Sequence, residues 1–346
     1  MPGTFRFSFG PWNIHEGADP FGPTVRPSIA FAEKLKLYKK LGFDGVQFHD
    51  DDAVPNINQD PSPAEIQKTA QEMRRMLDGE GLVAEIVAPR LWEDPRTIDG
   101  GFTSNNPAER QYAIERSLQC IDIGNILGTN KLVLWLAREG AYIREAKDAA
   151  KAVDLLVAAI NKMLAHDPHI RILIEPKPNE PMDLAYIPTI GHAVGLSYLT
   201  DDPSRVGVLM ESAHAILAGL DPSDELSYAI AHKKLWSVHL NDQNGLKFDE
   251  DKAFGAVDLR RAFMQVWVLD RNGYGNNGEF VGLDVKAMRT QKAEAATQHL
   301  SNSREIFLAL LDVARSLDTA RLDRLIAERN YEQLEMEIIR ALLGRK

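Results

Sequence analysis

One cysteine among 346 residues, Cys120, excludes an internal disulfide and suits a reducing compartment. Its neighbours Ile114, Leu118 and Ile121 recur at helical spacing, so Cys120 reads as core packing and not as a reactive thiol. No apolar run approaches the roughly 18 residues that a membrane span requires. The opening MPGTFRFSFGPW has no basic start followed by an apolar stretch, so no signal peptide is expected and a cytoplasmic location is. Basic charge is short as well: 40 Lys and Arg stand against 50 Asp and Glu, a formal net charge of -10. Such a surface repels phosphate backbones, which argues against nucleic acid as the main partner and suits a neutral small molecule or a metal cation. A glycine-rich phosphate loop is missing, so nothing here would hold a nucleotide-type redox cofactor. Internal repeats and low-complexity segments are missing too.

What the chain does have is a regular alternation of short apolar runs and amphipathic stretches. The runs at residues 5–9, 45–48, 83–87, 131–135, 171–174, 206–210, 235–240 and 279–283 read as eight strands. Helical patterns occupy residues 27–41, 64–81, 107–127, 144–164, 222–233, 258–269 and 293–317. Alternation of this kind predicts parallel strands joined by helical crossovers. Eight units predict an α/β fold, a closed (β/α)8 TIM barrel, which accommodates about 250 residues plus extensions. The expected organisation is a catalytic barrel over residues 1–317 and a short helical C-terminal extension over 318–346, of the kind that often packs on a neighbouring subunit. Pro27-Ser28 and Pro107 sit where a first helical turn tolerates proline, and Gly42 and Gly128 sit where C-cap glycines would.

The chemically capable side chains fall at or just beyond the ends of the apolar runs. They are His49 and Asp52, Glu175 and Lys177, Glu211 and His214, His239, Asp249 and Asp251, and Asp284. In a TIM barrel those positions converge on the C-terminal mouth. Glu175, Glu211, Asp249, Asp251 and Asp284, gathered there with His214 and His239, would repel one another unless a cation sat among them, and one or two divalent ions are the simplest solution. Oxygen donors outnumber imidazoles, which suits Mg2+, Mn2+ or Co2+ more than Zn2+. Glu211 could bridge two ions, and Asp249-Glu250-Asp251 places two carboxylates one residue apart, as a loop clamping one ion would.

FHDDD (48–52), WLAREG (135–140), EPKPNEP (175–181), LNDQNGLKFDED (240–251) and FGAVDLRRAF (254–263) occur in order, supported by FGPW (9–12), DPFG (19–22) and DGGFT (99–103). Together they resemble the xylose (glucose) isomerase family from about residue 5 to 290. The resemblance implies an aldose–ketose isomerase that opens the sugar ring and shifts a hydride, with two divalent ions per subunit. It implies that Glu175, Glu211 and Asp284 hold one ion, and that Glu211, His214, Asp249 and Asp251 hold the other. By the same resemblance Lys177 polarises a sugar oxygen, and His49, oriented by Asp52, helps open the ring. Trp12 and Trp135 would wall the hydride path, and Phe21 would reach into a neighbouring subunit's site of a homo-oligomer, a dimer or tetramer.

The chain departs from the family pattern in two places that bear on substrate and metal. Where the family has an aspartate at the first ion, this chain has His239, as do the similar L-rhamnose isomerases and ketose 3-epimerases, so His239 is taken as a ligand. Where the family has Thr-Thr-Asn-Leu-Phe, this chain has Ala88-Pro-Arg90-Leu-Trp92, which loses a hydroxyl, gains a charge and puts Trp92 at the sugar. Isomerisation of another aldose, or 3-epimerisation of a ketose, therefore stays open. So do a metal-dependent endonuclease, which the acidic charge disfavours, and a sugar sensor without turnover. Plainer roles exist as well: the tryptophans as core, Lys177 as a salt bridge to Glu180, and His239 as a hydrogen-bonded core histidine. His15, His166, His169, His192, His232 and His299 read as surface or structural.

Overall fold

The computed structural model describes residues 4–246 and 248–345; Lys247, within the LNDQNGLKFDED motif, and the outermost residues of both expected domains lie outside it. Eight strands form the barrel: β1 (Arg6–Phe9), β2 (Gly45–His49), β3 (Val83–Ala88), β4 (Lys131–Trp135), β5 (Arg171–Glu175), β6 (Val206–Glu211), β7 (Leu235–Leu240) and β8 (Phe280–Leu283). Each pairs in parallel with the next, and β8 closes on β1. Near-continuous apolar strands are what a sheet buried on both faces demands, and β2, β6, β7 and β8 are buried along their whole length.

Among the described residues, twelve helices surround or follow the barrel: α1 (Phe31–Leu41), α2 (Asp50–Ala53), α3 (Pro63–Glu80), α4 (Pro107–Leu127), α5 (Ala149–His166), α6 (Ile190–Tyr198), α7 (Ser212–Leu217), α8 (Pro222–Ala231), α9 (Leu259–Arg271), α10 (Gln298–Ser316), α11 (Thr319–Ala327) and α12 (Tyr331–Leu342). Gly42 and Gly128 end α1 and α4 in the left-handed conformation, as expected, and Pro107 opens α4 behind the Asn106 cap. Cys120 is buried in the core between barrel and helices. None of the described helices is long and apolar enough to cross a membrane.

The helices differ from the pattern reading in several places, α10 among them, which begins at Gln298 and not at residue 293. Helix α1 begins at Phe31, and Pro27-Ser28 lie in an exposed segment ahead of it. The cause is Arg26, whose guanidinium donates to the carbonyls of Met288 and Gln291 at 2.9 and 2.8 Å and ties that segment to a distant loop. Residues 144–146 form a separate short turn, and α5 starts only after Asp148 caps Ala150 at 2.9 Å. Helix α6 was not anticipated. Its sequence IGHAVGLSY holds two glycines, each costing about 1 kcal/mol in a helix interior. Burial of Ile190, Ala193, Val194 and Leu196 stabilises it instead.

Register then sets the site. Glu211 pairs with His239, His239 with Gly282, and Trp135 with Glu175, so all stand at the C-terminal rim. Gly282 is required by close approach: a Cβ there would lie 2.3 Å from the Val238 carbonyl and 2.5 Å from Gln47 Nε2. The carbonyl belongs to a strand and cannot give. Gly282→Ala is therefore expected to destabilise the fold by about 1–3 kcal/mol. Urea denaturation checks this, and a variant as stable as the parent would refute the contact.

Candidate metal centre

A cavity of about 840 Å³ opens at the C-terminal mouth, within the range of small-molecule sites. Glu175 ends β5, Glu211 ends β6, and His239 stands one residue before the end of β7. His214 lies on α7, one turn past Glu211, and Asp284 directly follows β8. Asp249 and Asp251 come from the long β7–α9 connection. Glu175, Glu211, His214, His239 and Asp251 are all at most 4% exposed.

These side chains fall into overlapping groups that share Glu211. Glu175, Glu211 and His214, then Glu211, His239 and Asp284, then Glu211, Asp249 and Asp251 each offer ligand atoms within 4.8 Å of one another. Within the groups, His239 Nδ1 stands 3.3 Å from Glu175 Oε1 and 3.5 Å from Glu211 Oε2. His214 Nε2 stands 3.2 Å from Glu211 Oε1 and 3.3 Å from Asp249 Oδ2. Glu211 Oε2, His214 Nδ1, His239 Nε2 and Asp249 Oδ1 are buried without a hydrogen-bond partner among the described residues. Buried polar atoms are almost always satisfied. Orphaned atoms on four members of one donor set fit a divalent cation, and oxygen and imidazole donors fit a hard or borderline one.

The surrounding groups orient and partly neutralise the carboxylates. Asn241 Nδ2 donates to Glu211 Oε1 at 3.0 Å and to Asp251 Oδ1 at 3.1 Å, while its oxygen accepts from Ala213 N. Trp12 Nε1 and Asn13 Nδ2 donate to Asp284 Oδ1 at 2.9 and 3.2 Å. Lys286 pairs with Asp251, and Lys177 donates to Asp249. Lys177 therefore does not bind Glu180, whose carboxylate accepts instead from Phe248 N and Asp249 N at 2.7 and 2.9 Å and clips the β7–α9 loop in place. That loop bends sharply, with Phe248 and Asp251 at φ 59° and 45°, and local strain of this kind collects at functional sites.

Electrostatics follow the crowding. Burial, opposed by His214 and His239 and reinforced by Asp249, pushes Glu211 up to about 7. Burial and then the adjacent Asp249 push Asp251 well above the carboxylate range. Burial opposes charge on His239, but Glu175 and Glu211 outweigh it and hold the imidazole well above its ordinary value. For Lys177 burial is likewise outweighed, here by Asp249, and the pKa rises.

The aromatic wall lies above these groups. The Trp92 and Trp135 rings meet edge to face at 4.6 Å, and Trp12 stands 4.1 Å from the His49 ring. His49 ends β2 and lines the cavity; Asp52 sits behind it and accepts from His49 N at 2.9 Å. Phe21, 83% exposed, lies at the rim of its own chain's cavity, 5.5 Å from the Phe248 ring. His15, read from sequence as surface or structural, also lines the cavity, whereas His299 is buried against the Asn13 carbonyl at 2.8 Å. Asn241, Lys286 and the contact of Arg90 with His49 escaped the sequence reading. Only the two-residue alternation from Asp284 to Lys286 hinted at any of them.

Residues 35–321 match the family model described as "Xylose isomerase-like TIM barrel". A xylose isomerase of Thermus thermophilus is 34% identical over 316 residues, 90% of this chain and 80% of that one. Among solved structures, a D-tagatose 3-epimerase-like protein superposes with a TM-score of 0.64 at 14% identity, over 90% of this chain and 98% of that one. An L-ribulose 3-epimerase superposes with a TM-score of 0.63 at 15% identity, over 93% and 98%. At those identities the two structures share the fold.

A stability measurement probes the donor set directly. In chelator-treated protein Glu211 binds its proton up to about 7 when folded, against 4.5 when unfolded. The unfolded chain releases that proton first, so stability present below 4.5 is lost as pH rises toward 7. His214 and His239, both raised above 6.5, act in the same direction over their own window. Chelated protein is expected to be less stable in urea at pH 8 than at pH 5. Mn2+ at a hundredfold excess over its Kd should restore about 2.7 kcal/mol at pH 8. It should restore less at pH 5, where protons compete for the ligands. Flat pH dependence and no metal effect would refute the cluster as a cation site.

Proposed function

Because the chain belongs to the xylose isomerase-like TIM-barrel family, we propose that it is a divalent-metal-dependent aldose–ketose isomerase, similar to D-xylose/D-glucose isomerase, acting by ring opening and 1,2-hydride shift. One observation carries this: three overlapping ligand groups share the buried Glu211, and their other members, Glu175, His214, His239, Asp249, Asp251 and Asp284, line a cavity walled by tryptophans, with the Lys177 ammonium fixed beside them by Asp249. Glu175, Glu211, His239 and Asp284 would hold one ion, and Glu211, His214, Asp249 and Asp251 the other. Two such ions, Mg2+, Mn2+ or Co2+, would stabilise charge developing on adjacent sugar oxygens.

The chain's own residues account for the rest. Lys177, 5.1 Å from the Trp135 ring centroid, presents a fixed donor and positive charge to the oxygen nearest the migrating hydrogen. Trp12, Trp92 and Trp135 keep water from that hydrogen. A buried ammonium paired to one ligand carboxylate supports a hydride shift between C1 and C2 over proton transfer at C3, which requires an acid and a base facing each other. The second reading, ketose 3-epimerisation, draws support from His239 standing among the carboxylates. Phe21, exposed at the rim, is available to a second copy, which supports a homo-oligomer of at least two chains. Residues 318–346 would form a C-terminal extension to the barrel, and a cytoplasmic location fits a single buried thiol.

The first test incubates metal-loaded protein with a panel of aldoses and ketoses in D2O, followed by NMR. Aldose–ketose interconversion with little deuterium at C1 or C2 is expected; C3 epimerisation with deuterium uptake would favour the second reading. Lys177→Ala should lose at least a hundredfold in kcat with an unchanged circular dichroism spectrum, and parent-like turnover would remove Lys177 from the mechanism. His239→Asp should retain turnover but shift metal preference toward Mg2+, read by metal content after competition.

A further inference from the structure

The side chain of His49 meets one group that the family resemblance did not supply. Arg90 Nη2 lies 2.7 Å from His49 Nδ1, a full hydrogen bond, while Asp52 Oδ2 lies 3.4 Å from the same nitrogen. Asp52 Oδ2 already accepts from the His49 backbone N–H at 2.9 Å. A guanidinium has five donors and no acceptor, and it keeps its proton in proteins. A nitrogen facing it at hydrogen-bond distance must therefore offer a lone pair. A proton on Nδ1 would point N–H at N–H, so that contact disfavours the Nδ1–H tautomer.

Arg90 itself is held from several sides. Its Nε donates to Asp51 Oδ1 at 2.9 Å, its Nη1 pairs with Glu93 at 3.2 Å, and its backbone N–H donates to Asp50 Oδ1 at 3.0 Å. Asp50 is fixed in turn by a buried ion pair with Arg116 at 2.7 Å. His49, Asp51 and Asp52 offer ligand atoms within 4.8 Å of one another, as a cation site would, but the cation among them is the Arg90 guanidinium. The imidazole is also fixed in its plane, with Trp12 at 4.1 Å on one side and the Trp92 ring edge-on at 5.0 Å.

We propose that Arg90 is a positioning residue that holds His49 in the tautomer with its proton on Nε2, so that His49 meets the sugar as a hydrogen-bond donor and not as a base. This rests on the isomerase reading for what the donor meets, a sugar oxygen, but not for the tautomer itself. It changes the role that resemblance implied for His49. With Nδ1 blocked and Nε2 protonated, His49 orients a sugar oxygen that has a lone pair to give, such as the ring oxygen. It has no free lone pair to take the anomeric proton.

The test reads the tautomer without turnover. The full chain is labelled with 15N-histidine, and His49 is assigned by the signals that vanish in His49→Gln. In the parent, His49 Nδ1 should show the shift of an unprotonated ring nitrogen and Nε2 that of an N–H nitrogen. In Arg90→Met the order should reverse as Asp52 becomes the sole partner of Nδ1, and Arg90→Lys, which restores a donor, should return toward the parent. A proton on Nδ1 in the parent overturns the proposal, and that spectrum decides even where Arg90→Met does not fold. As a second readout, kcat/KM of Arg90→Met on the best sugar should fall and Arg90→Lys should recover part of it; a parent-like kcat/KM with a reversed tautomer would overturn the donor role at the sugar. Absence of any turnover would sink the isomerase reading and leave the tautomer result standing.

Discussion

Carboxylates gathered at one barrel mouth repel one another, and burial removes the water that would screen them. Much of the surrounding structure answers that single constraint. Lys177 and Lys286 each neutralise one aspartate of the β7–α9 loop, and two imidazoles stand between the glutamates. Asn241 spends its two amide protons on Glu211, Asp251 and the Asp284 carbonyl, spanning three of the contributing segments. Even so, four buried polar atoms of this set keep no hydrogen-bond partner among the described residues. Strong acceptors left unsatisfied in a dry site fit a cation.

The same constraint explains why so much of the site was legible in the sequence. A carboxylate immediately after a strand of buried apolar residues is conspicuous, and Glu175, Glu211 and Asp284 each follow such a run. The barrel was legible for a related reason: parallel strands covered on both faces lose the alternation that would otherwise blur their ends. Helix α6 was not legible, because its glycines and β-branched residues argue locally against a helix and tertiary burial decides. The start of α1 was misjudged because Arg26 anchors to carbonyls some 262 to 265 positions away, which no local window contains. Lys286 on Asp251 and Arg90 on His49 are invisible for the same reason, since each pair joins different connections of the barrel.

His239 and Arg90 share a physical logic. At the first ligand group, histidine where the family pattern has aspartate removes one negative charge from a crowded set, so the remaining carboxylates repel less and a softer donor would face a cation there. At His49, a guanidinium replaces what would otherwise be a purely acidic surrounding of Asp51 and Asp52. Both changes move the mouth toward lower negative charge while the strands beneath are untouched. A TIM barrel permits this because stability resides in the strands and helices, and chemistry in the loops beyond the strand ends.

That separation also locates substrate choice. The residues that would contact the two reacting carbons, Lys177 and the shared ligand groups, are fixed by strand ends and by reciprocal ion pairs, and a shift in any of them would leave a buried charge unpaired at a cost of about 3–5 kcal/mol. The segment from Ala88 to Trp92 carries no such obligation toward the ligand groups. Its Trp92 ring touches both Trp135 and His49, and its Arg90 sets the hydrogen-bonding partner of His49. A change here alters which face of a sugar meets a donor and which meets a ring, without disturbing the acceptors below. On the proposed isomerase reading, reaction type would be set at the strand ends, and the choice of sugar in the short connection after β3.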